Sequence, residues 1–441
     1  MSSRQDLISI IGLGKLGIPL SLSFASCGFT VIGYDINPIT MIKLQSGVSP
    51  IIEPQVQEQL SAYKSNMVYT DDLHELVQKS EITFIVVPTP SNKDGSFSSH
   101  FIETAVKSLA VHIRSKKKKH TLVITSTVSI RTMEGVVTPL IEKETGKKVG
   151  KEIGLCYSPE FIALGSVIQN IKEPDLILIG ESDKNSGDFV EKIRLSLCKN
   201  KPKVMRTNWI NAEIAKVSLN SYITTKISFA NMIARMCERI KGADSEVVLQ
   251  AIGQDSRVGT KYLKGGLGYG GPCFPRDNIS LQTTINSIDP LINLPYQVHC
   301  FNKKQIEIIF NYVKKILKKG QKVGILGLSY KPDTNVTDES QGMLLLQKLV
   351  REHIDVISYD PFVQQNANKI LSVRRFVQSA EQCIEQADVI VITTPWNIFK
   401  KIRWNVFSNK IVIDCWRIID LTKYDKKKNT FIQLGKYISF P

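Results

Sequence analysis

The chain has 441 residues, 42% apolar and 22% charged, too long for one ordinary domain and rich enough to bury substantial cores. Its formal charge of +16 is spread along the sequence without interleaved aromatic motifs, which favours anionic ligands in general and points to no nucleic-acid partner. No apolar run has the roughly 18 residues of a membrane span, no leader pattern opens the chain, and the 8 cysteines form no CxxC pair, so the expectation is a cytoplasmic protein with no membrane partner and no metal.

The first predicted element is a strand–turn–helix–strand unit. "LISIIGLGKLG" runs an apolar strand into Gly12-x-Gly14-x-x-Gly17, "IPLSLSFASCGF" has apolar residues at helical spacing, and "TVIGYD" ends a second strand at Asp35. In such a unit Gly12 permits the tight turn, Gly14 lets the backbone approach a pyrophosphate, and Gly17 lets helix and strand pack closely. The helix N-terminus then faces the phosphates. Lys15 and Leu16 complete the candidate turn. Asp35 can accept hydrogen bonds from the adenosine ribose and would repel a 2′-phosphate, so the expected cofactor is NAD rather than NADP.

Three further strands run into polar loops. "EITFIVVPTP" enters Pro88-Thr89-Pro90, "TLVITSTV" ends in Ser126-Thr127, and "EIGLCYSPEF" ends at Glu160. Ligands of an open parallel sheet bind at the carboxyl ends of its strands, where these residues fall. The basic stretch "RSKKKKH", Arg114 to His120, reads as a solvated helix-to-strand loop. The span 1–207 is thus expected to be an NAD-binding Rossmann domain.

From Asn211 to about Ile240 the pattern becomes one long helix, with Lys216 and Asn220 at i, i+4 on one face. A shorter helix leads into "GGLGYGGPCFPRD", Gly265 to Asp277, where glycines and two prolines surround Cys273. A buried structural thiol needs no such setting, whereas one that meets a substrate does. This helical domain is expected over 208–305. Beyond it the opening theme recurs in "QKVGILGLSY", "DVISYDP" and "ADVIVITTPW", with Gly327 in the place of Gly12. Ser329 replaces the second glycine and "KPDTNVTDES" is inserted, so the span 306–441 is expected to bind a nucleotide ligand other than a dinucleotide. The fold class is α/β: two Rossmann-like domains joined by a central helical domain with a long connecting helix.

An NAD site, a loop thiol, a Lys/Asn helix face and strand-end acids suit one kind of chemistry. A thiolate adds to an aldehyde, and loss of hydride from the thiohemiacetal leaves a thioester. Lys216 and Asn220 could stabilise the oxyanion, each such donor contributing roughly 3–4 kcal/mol. Asp277 lies close enough to Cys273 to orient Lys216 or a water, and Glu160 is a candidate to position or deprotonate the hydrolytic water.

Gly12-x-Gly14-x-x-Gly17, "SPEF" at Ser158 to Phe161, "AEIAKVSLNSYITTKISFAN" and "GYGGPCFPRD" together resemble the nucleotide-sugar 6-dehydrogenases of the UDP-glucose/GDP-mannose dehydrogenase family. The resemblance implies NAD-dependent four-electron oxidation of a UDP-sugar C6 alcohol to the uronate, and a homodimer built on the central helices. It makes Cys273 the nucleophile, with Lys216, Asn220 and Asp277 supporting oxyanion and water. It matches Glu160 to the family's hydrolytic acid and Thr127 to the threonine of "STV". Phe161, Tyr262, Leu263, Gly270 and Lys331 match substrate contacts, and Arg257 matches an arginine that reaches the partner subunit's site.

Two positions depart from the UDP-glucose pattern: Leu164 stands where a second glutamate is usual, and Asp338 where an arginine near the NAD is usual. "PEF" and "GGPCFP" favour UDP-glucose over UDP-N-acetylhexosamines, whose enzymes usually carry "PER" and "GGHC". A non-catalytic nucleotide-sugar-binding protein is the alternative from another class, and five intact reactive positions argue against it.

Overall fold

The computed structural model describes residues 7–363, 376–424 and 427–439. The chain divides into two units, Met1–Val217 and Ser218–Pro441.

In the first unit the strands are β1 (Leu7–Ile11), β2 (Thr30–Tyr34), β3 (Met67–Tyr69), β4 (Ile82–Ile85), β5 (His120–Ile124), β6 (Ile153–Tyr157), β7 (Leu176–Glu181) and β8 (Lys203–Thr207), the central ones apolar and the last, at the sheet edge, carrying Lys203 and Arg206 with no buried residue. They make one sheet in the order β3-β2-β1-β4-β5-β6-β7-β8. The first six strands are parallel. β4, β5 and β6 are buried along their whole lengths, as strands covered on both faces must be. Two separate apolar clusters pack the sheet, one around Leu20, Leu22, Phe24 and Phe84, the other around Leu109, Leu122, Ile124 and Tyr157. β7 pairs antiparallel with β6, Tyr157 opposite Gly180, and β8 is parallel to β7. The last two strands therefore run against the other six, an arrangement that needs no crossover between β6 and β7.

The basic stretch before β5 departs from expectation, because it is not solvated throughout. Lys116 is 5% exposed and His120, the first residue of β5, is 1% exposed. Lys116 Nζ donates to the carbonyls of Val77 (2.6 Å) and Ser80, at the C-terminal end of the Leu73–Lys79 helix, and lies 3.0 Å from His120 Nδ1. The long aliphatic stem lets a lysine reach helix-end carbonyls that lack partners, and this draws the side chain inward. Burial pushes the lysine down to about 8, and burial together with the Lys116 charge pushes His120 down to about 3.

The helix Trp209–Cys237 is continuous across the division between the units. In the second unit it is followed by helices Ser245–Gly253, Phe274–Ile288 and Leu294–Ile316. A parallel sheet then forms from β9 (Val323–Leu326), β10 (Val356–Tyr359), β11 (Val389–Ile392), β12 (Ile411–Asp414) and β13 (Thr430–Gln433), in the order β10-β9-β11-β12-β13. Among the described residues, no helix is long and apolar enough to cross a membrane, and no cluster of His, Cys, Asp or Glu could hold a metal ion.

The two sheets repeat one turn in detail. Gly12 (φ +93°) donates its N–H to Tyr34 O at 2.9 Å, and Gly327 (φ +106°) donates to Tyr359 O at the same distance. A Cβ on Gly17 would lie 1.8 Å from Gly12 O, and one on Gly342 would lie 2.2 Å from Gly327 O. Gly342 thus does for the second unit what Gly17 does for the first. The insertion carrying "KPDTNVTDES" separates it from Gly327, which hides the correspondence in the sequence.

Candidate active site

The turn after β1 fits a dinucleotide. At Gly14 an added Cβ would meet nothing within 4 Å, and Gly14 and Lys15 are exposed at the start of the Gly17–Ser26 helix, so the backbone borders open space where a pyrophosphate would lie. Leu16 is half-buried and packs on the core. Asp35 Oδ2 accepts from Leu13 N (2.7 Å) and Oδ1 from Asn37 N (2.8 Å). A carboxylate has about four acceptor sites, so capacity remains for ribose hydroxyls. Nearby strand ends are fastened to each other: Ser126 Oγ accepts from Val87 N (3.0 Å) and donates to Val87 O (2.6 Å). This sets the loop with exposed Pro88 and Pro90 and buried Thr89 against the loop with half-buried Thr127.

The corresponding acid of the second unit is closed to such a ligand. Asp360 is fully buried; its Oδ2 accepts from Leu328 N, Ser329 N, Ser329 Oγ and Trp396 Nε1, and its Oδ1 from Phe362 N and Val363 N. No capacity is left for a ribose, in accord with a ligand other than a dinucleotide at that fold.

Lys216, Glu160 and Phe161 come together in the first unit. The buried Lys216 ammonium donates to the Glu160 carbonyl at 2.7 Å and sits 4.6 Å from the centre of the Phe161 ring. The Glu160 carboxylate is engaged elsewhere, by Arg194 of the Lys184–Ser196 helix. The contact between Glu160 and Lys216 is therefore made by the main chain. Leu164 packs its side chain on the core of the unit. One turn before Lys216, the fully buried Glu213 accepts from Arg131 N (2.6 Å) and Met133 N (2.8 Å), and so ties the segment after Thr127 to the Lys216 helix. Burial holds the Glu213 carboxyl above its usual range, against the lowering effect of those two N–H groups.

Cys273, Asn220 and Asp277 come together in the second unit. Cys273 is exposed and begins the Phe274–Ile288 helix, whose N-terminus favours negative charge. Asp277 N donates to Cys273 O at 2.9 Å, so the acid sits one turn along. Its buried carboxylate accepts from Asn220 Nδ2 at 2.6 Å. The neighbouring buried Asn278 accepts from Ser221 Oγ (2.7 Å) and donates to Pro295 O (2.8 Å). Two adjacent side chains thus dock the cysteine helix on the long helix.

Protein walls, more than ligand space, require the glycines before Cys273. An added Cβ would meet Ala234 at Gly265, Trp416 at Gly266, Asn302 at Gly268, Glu339 O at Gly270, and the Tyr330 ring (2.5 Å) at Gly271, where φ is +86°. The buried Asn231 clips the loop by accepting from Gly266 N (2.8 Å) and donating to Leu267 O (3.0 Å). Asn302 does the same for both main-chain groups of Tyr269. Sequence reasoning missed these clips, although Asn231 follows Asn220 by three helical turns on one face.

The remaining predicted residues vary. Lys331 is half-buried beside Tyr330, and Asp338 is exposed, its carbonyl accepting from Gly271 N at 2.9 Å. Tyr262 is exposed with φ +61°, its ring edge-on to Phe274. Leu263 is buried with Ala230 and Leu249. The Arg257 side chain is 87% exposed and paired with Asp255.

Comparison with known proteins matches the chain to three models of the UDP-glucose/GDP-mannose dehydrogenase family: its NAD binding domain over residues 6–196, its central domain over 210–304 and its UDP binding domain over 324–421. The chain is 31% identical over 417 residues to UDP-glucose 6-dehydrogenase AglM of Haloferax volcanii, covering 93% of this chain and 97% of that one. A solved UDP-glucose dehydrogenase from the hyperthermophilic archaeon Pyrobaculum islandicum superposes with TM-score 0.88 at 28% identity, over 99% of both chains. A UDP-D-ManNAc dehydrogenase from Pyrococcus horikoshii gives TM-score 0.82 at 26% identity, over 97% of this chain and 99% of that one.

Proposed function

For a chain that belongs to the UDP-glucose/GDP-mannose dehydrogenase family, and is an NAD-dependent nucleotide-sugar 6-dehydrogenase, we propose that the substrate is UDP-glucose and the product UDP-glucuronate. The observation that carries the catalytic reading is the exposed Cys273 thiol at a helix start, one turn from the Asn220–Asp277 pair. NAD, when bound at the Gly12–Gly17 turn, supplies the acceptor for the hydride removed in each of two oxidations. Cys273 Sγ bonds to C6 at the aldehyde stage, and water later cleaves that C–S bond, releasing the uronate and the thiol. Lys216 and Asn220 donate to the C6 oxygen while it carries negative charge. Asp277 orients Asn220 and the hydrolytic water, and Thr127 borders the reacting end of the sugar. Glu160 acts through its carbonyl, which aims the Lys216 ammonium, while Phe161, Tyr262, Leu263, Gly270 and Lys331 contribute to holding the sugar nucleotide.

A panel of UDP- and GDP-sugars with NADH detection tests this reading. Two NADH per UDP-glucose, at a kcat/KM well above that for UDP-N-acetylhexosamines and GDP-mannose, is expected. Preference for an N-acetylated sugar would transfer the assignment to the branch that includes the Pyrococcus relative. One NADH per sugar would mean that oxidation stops at the aldehyde.

We also propose a homodimer through the central segment 208–305. Supporting it, Leu219, Tyr222, Phe229, Met232 and Met236 of the long helix expose large apolar surface. Arg257 then reaches the partner subunit's site, its exposed pair with Asp255 holding it weakly. Sedimentation at a monomeric mass would exclude this assembly. Cysteines without disulfides among the described residues suit a reducing cytoplasm, where we place the reaction.

A further inference from the structure

The segment that carries Glu160, Phe161 and Leu164 is pinned by a residue that sequence reasoning passed over. Glu53 lies in the connection between β2 and β3, yet its carboxylate reaches the segment after β6. Oε2 accepts from Gly165 N at 2.8 Å and Oε1 from Val167 N at 2.9 Å. Nearby, Gln55 holds φ at +67°, a left-handed backbone that residues with side chains seldom adopt. Ile51, two residues before Glu53, packs on the same core as Leu164 and Ile162. The span between β6 and the Val167–Lys172 helix is thus held at both ends: Arg194 grips Glu160 at its start and Glu53 grips two main-chain N–H groups at its finish. Between these points Ala163 N is taken by Asn170 Oδ1 at 2.9 Å.

We propose that Glu53 is a positioning residue for the sugar end of the substrate. A charged acceptor shared by two N–H groups fixes the path of residues 160–166. That path sets where the Glu160 carbonyl and Phe161 ring present the Lys216 ammonium, with Leu164 and Ile162 anchoring it on the core. The connection between β2 and β3 is therefore a working part of substrate recognition as well as a link between strands. The proposal rests on the nucleotide-sugar dehydrogenase reading but not on the identity of the sugar.

Steady-state kinetics of Glu53→Ala and Glu53→Gln, with whichever sugar nucleotide the wild-type enzyme oxidises best, test it. Loss of a charge-assisted acceptor should raise the sugar KM by about 10-fold or more in Glu53→Ala, with the NAD KM within about 2-fold of wild type. Glu53→Gln keeps one acceptor and should fall between the two. Hydrogen exchange adds a readout that needs no turnover: the 158–170 peptide should exchange faster in Glu53→Ala, with the Gly12–Gly17 peptide unchanged. An unchanged sugar KM, a parallel rise in both KM values, or unchanged exchange in 158–170 would overturn the proposal. A wild-type preference for another sugar would instead correct the substrate assignment and leave this one standing.

Discussion

Glu160 and Arg194 form a buried ion pair, their side chains 4% and 3% exposed, while the carbonyl of the same glutamate accepts from Lys216 at 2.7 Å. One residue thus joins an electrostatic anchor in the core to the ammonium expected to steady the C6 oxygen. Arg194 Nε is buried without a protein partner among the described residues, so the pair is the guanidinium's main compensation.

Breaking this pair from one side leaves a buried charge. Arg194→Met should destabilise the first unit by about 3–5 kcal/mol, whereas Arg194→Met with Glu160→Gln removes both charges and should recover much of the loss. Because the carbonyl holds Lys216, the double variant should keep a substantial part of the wild-type kcat. Denaturant unfolding and a double-mutant cycle measure the first outcome, and NADH production measures the second. A double variant as stable as wild type but inert, with a thioester trapped on Cys273, would show that the Glu160 carboxylate itself is needed for hydrolysis.

Cys273 carries the covalent step, so its replacement should separate binding from chemistry. Cys273→Ala should lower NADH production from the sugar nucleotide by about 10³-fold or more. NAD affinity by titration should stay at the wild-type value, since the Gly12–Gly17 turn and Asp35 are untouched. Near-normal turnover in this variant would rule out a thiol-linked route.

Much of this was readable beforehand because the signals are local. The glycine turn, Asp35 after β2, the Lys216/Asn220 spacing and the thiol-bearing loop each lie within a short stretch where one physical rule applies. What escaped depends on distant contacts. Glu53 meets a segment more than a hundred residues away, and neither end has a distinctive motif. Gly342 replaces Gly17 only after an insertion is folded out of the way. Lys116 and His120 looked solvated because a run of lysines cannot reveal which member finds a helix end. The glycines around Cys273 suggest the setting of a thiol that meets a substrate, but composition does not say which side a missing Cβ would have faced.

That last distinction predicts opposite behaviour for two glycines. At Gly14 a methyl group meets nothing, so Gly14→Ala should fold like wild type and raise the KM for NAD. At Gly271 it meets the Tyr330 ring and strains a left-handed backbone, so Gly271→Ala should displace the cysteine loop. Its kcat should fall at least about 10-fold, with NAD affinity unchanged. Kinetics with each substrate varied in turn would show the two effects, and a Gly271→Ala enzyme with normal kcat would mean that the loop tolerates the shift.

The buried Lys116–His120 contact should give the first unit a specific acid sensitivity. Lys116 donates to Nδ1, so His120 donates from Nε2 to Thr83 Oγ1 at 2.8 Å and is neutral when folded. Its folded value is pushed down to about 3, below the ordinary 6.5 of the unfolded chain. A depressed value stabilises the fold above pH 6.5, and that contribution is lost as the pH falls from 6.5 toward 3. Lys116, held down to about 8, is charged in both states across this window and contributes no slope there. Its own contribution rises between pH 8 and 10.5. Between pH 6.5 and 4.5 the His120 contribution alone should lower stability by about 2 kcal/mol. His120→Gln keeps an acceptor for Lys116 but does not titrate, so its stability should fall less over the same range. Hydrogen exchange of the β4 and β5 peptides in urea, at both pH values, compares the two proteins. Equal pH dependence would show that His120 takes up its proton without opening the sheet.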